Sequence, residues 1–128
     1  MEQLKITLFA LLLVLSVGCH PEQESCAPRG ETYRVTTVIT LDNCLGLQGL
    51  KLGPTSWECK LSSSGKVVVG EKVLEWFNDE CKAWTKYWSP EGCVIEESIY
   101  FLGDSIEGTR FTKCSDCFMQ TSIAGDRQ

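Results

Sequence analysis

The chain has 128 residues, 17 acidic against 12 basic side chains, a net charge of −5, one histidine and eight cysteines. Its Lys and Arg residues are scattered singly, which argues against nucleic acid or an anionic membrane surface as partner. The only histidine, His20, falls in an irregular N-terminal arm, where no Cys/His or Ser/His/Asp arrangement is readily assembled.

Taken in chain order, the first residues have the layout of a secretory signal. Lys5 supplies a positive start, Ile6 to Val17 is almost wholly apolar, and Ser16 and Gly18 are the small residues at −3 and −1 of a cut before Cys19. An apolar run of about 12 residues is too short to span a bilayer, which needs about 20. The expectation is a signal over residues 1–18 and a single extracellular domain over 19–128, exported and monomeric. Ser16-Val17-Gly18-Cys19 also looks like a bacterial lipobox with Ser in place of Leu, so a lipoprotein is a minor alternative.

His20 to Gly30 reads as an irregular arm that a disulfide pins to the body. Tyr33 to Leu41 alternates as a strand, with Tyr33, Val35, Thr37, Ile39 and Leu41 on one face. Leu45 to Thr55 carries three glycines and a proline and reads as a loop. Ser56 to Leu61 and Lys66 to Val69 flank Ser62-Ser63-Ser64-Gly65 as a β-hairpin.

Glu71 to Trp88 is the most strongly patterned segment. At about 100° per residue, Trp76, Tyr87, Val73, Trp84, Phe77, Trp88, Cys81 and Leu74 share one apolar arc roughly 160° wide, which predicts an amphipathic helix. Ser89-Pro90 would stop it. Val94 to Leu102 and Thr109 to Lys113 follow as strands joined by a turn, Cys114-Ser-Asp-Cys117 comes next, and Ile123 to Gln128 reads as a frayed tail. The fold class expected is therefore α+β: a small disulfide-rich domain in the order β-β-β-α-β-β, its antiparallel sheet packed on one helix.

An even cysteine set on an exported chain reads as a disulfide framework of Cys19, Cys26, Cys44, Cys59, Cys81, Cys93, Cys114 and Cys117, with the pairing left open. Cys114-Ser-Asp-Cys117 could be a redox dithiol or half a zinc site, but it opens no helix after a βαβ unit and has no second pair, so a structural role is expected. Glu80 intrudes on the apolar stripe, where burial would raise its pKa as in a general acid; a capped rim residue is the commoner outcome. Neither catalytic residues, metal nor cofactor are called for, and an enzyme is not expected.

The segments RFTKCSDCF and GEKVLEWFNDECKAW are faintly similar to single von Willebrand C-type secreted domains, over the second half of the chain only. Adjacent cysteines and dense Cys-x-Cys spacing of that family are missing, and no family is identified. Aromatic residues exceed what a small core easily holds, so Trp57, Trp76, Tyr87 and Trp88 are candidate anchors for a protein or cell-surface partner. The leading expectation is a secreted binding protein of the toxin, effector or host-defence type. The alternatives are an extracellular carrier of a small hydrophobic ligand, its pocket lined by Trp84, Phe77 and Ile39 between helix and sheet, and a structural or matrix protein.

Overall fold

Alternation of side chains across an extended backbone puts Tyr33, Val35 and Ile39 on one face of the first strand, and all three are buried. The computed structural model describes residues 26–128. Eight strands run through them: β1 (Arg29–Asp42), β2 (Lys51–Leu61), β3 (Lys66–Val69), β4 (Lys72–Phe77), β5 (Lys82–Trp88), β6 (Val94–Phe101), β7 (Ser105–Lys113) and β8 (Phe118–Arg127). Each strand is antiparallel to its neighbour in sequence, and β8 returns to pair with β1, closing a barrel. The signal expected over residues 1–18, Cys19 and His20 lie outside the described residues.

This overturns the α+β expectation. Residues 71–88 are not a helix but the β4–β5 hairpin, whose strands are joined by a single 3-10 turn, Asn78–Glu80. Cys81 closes that turn in the left-handed region at φ 52°. Two strands whose outward faces also carry Val73, Phe77, Trp84 and Trp88 lose the polar/apolar alternation that marks a strand. The intervening turn then shifts the phase between them, and the spliced pattern mimics a 3.6-residue period. Glu80 is exposed in that turn, 3.8 Å from Lys82, not set in an apolar stripe.

Other boundaries shift less. The β2–β3 hairpin forms as expected, with Cys59 opposite Val69, but β2 begins within the predicted loop, at Lys51. Ile123 to Gln128 is no frayed tail: residues up to Arg127 belong to β8, hydrogen-bonded on both sides, with Ile123 only 1% exposed.

The core fills the half of the barrel nearest the start of β1 and the end of β8. Phe101 is its centre, edge-on to Tyr33 and Trp76 with ring centroids 6.0 and 5.8 Å away. Val35, Val67, Leu74, Ile99, Ile106 and Ile123 pack around it, each almost fully buried. Ala27 and Pro28 are buried beneath this end, where Leu61 donates its backbone N–H to the Pro28 carbonyl. Gly108 has a packing reason: a Cβ there would collide with the Ser98 carbonyl oxygen of the adjoining strand.

Three disulfides join the described residues. Cys26–Cys81 fastens the entering chain to the β4–β5 turn at the filled end. At the other end, Cys44–Cys117 and Cys93–Cys114 tie the β1–β2 and β5–β6 loops to the β7–β8 turn. Each typically contributes on the order of 2 to 4 kcal/mol. Cys59 departs from the expected framework: it is a free thiol, wholly buried in the core. Burial, reinforced by the charges of Glu31 and Glu58, pushes its pKa up to about 12.

A thiol so protonated is a poor nucleophile. In native protein at pH 8, iodoacetamide should alkylate Cys59 about a thousandfold or more slowly than an unfolded cysteine. Denaturation without reductant should expose it at the ordinary rate, while Cys26, Cys44, Cys81, Cys93, Cys114 and Cys117 stay protected. Peptide mass spectrometry reads both.

Candidate functional site

Cross-strand pairing decides which side chains share the barrel interior, because residues directly opposite each other point to the same face. Beyond the apolar core, toward the stapled loops, the inward set changes character. Thr85 lies opposite Glu97, Glu97 opposite Arg110, and Arg110 opposite Thr121. These four form a polar belt around one side of the interior.

Glu97 is the centre of that belt and is 0% exposed. Its Oε2 accepts from Lys72 Nζ at 3.2 Å and from Arg110 Nε at 3.1 Å. Its Oε1 is buried with no hydrogen-bond partner. Two cations converge on one carboxylate, so the cluster carries a net charge of +1. Among the described residues, the Arg110 guanidinium makes no hydrogen bond beyond its Nε contact. Lys72 also stands over Trp57, its Nζ 5.8 Å from the ring centroid.

A buried carboxylate with an orphaned oxygen is costly and seldom left without a reason. Here the surroundings supply one. The β3–β4 hairpin is short, so β2 pairs with β3 only over Cys59–Leu61, and β4 with β5 only over Glu75–Phe77. β2 and β5 run on past it toward the stapled end and leave a notch in the wall. Inward-facing Thr55, Lys72 and Tyr87 are exposed there, while Trp57, Thr85, Ile95, Arg110, Thr112 and Met119 are only half-buried. The interior is thus filled at one end and open to the outside at the other.

The four proposed anchors fall into two pairs. Trp57 and Trp76 face the interior, Trp76 against Phe101 and Trp57 beneath Lys72. Tyr87 lies at the mouth, and Trp88, 73% exposed, stands on the outer face. There it joins Tyr87, Trp84, Val94, Phe111 and Phe118 in a shallow groove flanked by Lys86 and Lys113. Glu96 accepts from Trp84 Nε1 at 3.2 Å in the same groove.

The carrier pocket drawn from the sequence does not form as described. Trp84 and Phe77 touch on the outside of the wall, ring centroids 6.5 Å apart, whereas Ile39 is buried inside. Lys72, Glu97 and Arg110 were missed, because they stand far apart in sequence and converge only when the barrel closes. The available signal was Glu96-Glu97 in the middle of a strand: one of two adjacent carboxylates must point inward.

Cys114 and Cys117 bond outward to Cys93 and Cys44 and not to each other. The sulfurs of Cys44, Cys114 and Cys117 lie within 4.8 Å of one another, but each is committed to a disulfide and offers no thiolate to a metal. Among the described residues no helix is long and apolar enough to cross a membrane. Comparison of the chain with family models, with curated proteins and with solved structures returns no match.

Asp42 shapes the mouth. Its carboxylate accepts from the backbone N–H groups of Cys44, Leu45 and Leu47 at 2.8 to 3.0 Å, organising the β1–β2 loop. Those bonds, the one from Leu45 foremost, hold its pKa below the ordinary 3.8. A carboxyl group depressed on folding stabilises above its unfolded pKa, and the stabilisation is lost as pH falls through the folded value. Loop order should therefore persist at pH 5 and fail only below about pH 4. In Asp42→Ala the amides of Leu45 and Leu47 should exchange with deuterium at least roughly tenfold faster at pH 7, and that acid dependence should vanish.

Proposed function

We propose that this chain is an exported carrier that holds one small amphipathic molecule in the open half of its barrel. The small, disulfide-rich eight-stranded barrel is the frame for this reading. An interior closed by eight strands is just wide enough to be filled by side chains or to hold one small ligand. The observation that carries the proposal is the contrast between the two halves: packed apolar side chains at one end, and at the other inward-facing residues left partly exposed around a buried, half-satisfied carboxylate. Export is supported by the leader-like layout of Lys5 to Gly18 and by the cystines, which persist in oxidising compartments. Binding without turnover is the activity proposed.

A second reading has its own observation. The outer groove of Trp84, Trp88, Phe111 and Phe118 has the aromatic content of a protein-binding surface, and it keeps a macromolecular partner in view.

Tryptophan fluorescence separates the two. Titration with medium-chain amphiphiles should give saturable quenching at one ligand per chain. Trp57→Phe should remove most of that signal and Trp88→Phe should leave it intact. Quenching that follows Trp88 would move binding to the outer groove, and no saturable response would sink the carrier reading.

A further inference from the structure

Lys72, Glu97 and Arg110 define more than a polar spot, because their hydrogen-bonding capacity is unevenly used. Glu97 Oε2 is saturated by two cations, whereas Oε1 is buried and unpartnered. Carboxylate oxygens only accept, so what is missing beside Oε1 is a donor. Lys72 and Arg110 together carry one positive charge more than Glu97 neutralises. Lys72, 42% exposed in its side chain, and Arg110, 26% exposed, can both be reached from the notch, whereas Glu97 lies behind them.

A cationic head group would meet two like charges on its way to Oε1, and a neutral alcohol would leave the surplus charge unanswered. From this we infer that the site selects an amphiphile whose head is an anion with a neutral O–H or N–H donor beside it, as in a 2-hydroxy acid or an N-acyl amino acid. The anion lies between Lys72 and Arg110, where charge-assisted hydrogen bonds are strongest. Because Glu97 is 0% exposed, the neighbouring donor reaches its Oε1 only as the more exposed Lys72 side chain shifts aside, and the apolar chain runs past Ile95 and Met119 toward the mouth. This assignment rests on the carrier reading and adds the chemistry of the head group.

Calorimetric titration of the oxidised protein with four ten-carbon probes tests it: 2-hydroxydecanoate, decanoate, 1-decanol and decylamine. Affinity should fall in that order, with decylamine at least about tenfold weaker than decanoate. Lys72→Met and Arg110→Gln should each weaken decanoate about tenfold while leaving 1-decanol unchanged. Near-UV circular dichroism confirms the fold of each variant, and the more exposed Lys72→Met suffices if Arg110→Gln does not fold.

Glu97→Gln has a signature that a merely structural role would not give. The carboxamide turns its oxygen to the cations and its NH2 to the ligand, where the hydroxyl can only accept, so the preference for 2-hydroxydecanoate over decanoate should shrink. If all four probes bind equally, or decylamine binds best, the head-group assignment falls and the carrier survives. If none binds, both fall.

Discussion

Closure of β8 onto β1 is the constraint on which the rest depends. Nine residue pairs make that seam, from Tyr33 opposite Arg127 to Asp42 opposite Met119. An open eight-stranded sheet of this length would present two long edges of unpaired backbone groups and one unburied apolar face. Joining first strand to last removes both edges and turns the apolar face into an interior. With no helix among the described residues to cover the sheet, the barrel has to be its own second layer, and Tyr33, Val35 and Ile123 meet Phe101 and Ile106 because of that seam.

The interior so formed is divided by chemistry. Around Phe101 the inward residues are apolar and leave no room for solvent, and the thiol of Cys59 is sealed in with them. One layer farther along the strands the inward positions become Thr85, Glu97, Arg110 and Thr121. Burying a carboxylate there is tolerable only because two cations reach it from neighbouring walls. Apolar residues of similar size would often serve stability alone as well or better.

Much of this was legible residue by residue, and what failed was long-range. The alternation of Tyr33 to Leu41 gave β1 because its outer face is polar enough to contrast with the inner. The hairpin at Ser62 to Gly65 was legible because short polar links with glycine are local devices. β4 and β5 were not, since Phe77, Trp84 and Trp88 place aromatic surface on the outer wall and erase the contrast. Their content of Val, Trp, Thr and Tyr was a strand signal that the helical period outweighed. β8 was misjudged through its position: Gly125 and the polar Asp126 and Arg127 look like a loose end until β1 is found alongside. The Lys72–Glu97–Arg110 cluster joins positions 25 and 13 residues apart on three different strands, and no local pattern links them.

The two cystines at the mouth have a mechanical consequence. They share the β7–β8 turn and so bind three loops into one rigid arc, from β5 round to β2. The remaining connection at that rim, Gly70-Glu71 between β3 and β4, has no covalent tether and stands across the barrel from the shared turn. Any breathing of the rim is therefore lopsided: the stapled arc acts as a fixed jaw, and the small hairpin beside Lys72 is the side that gives.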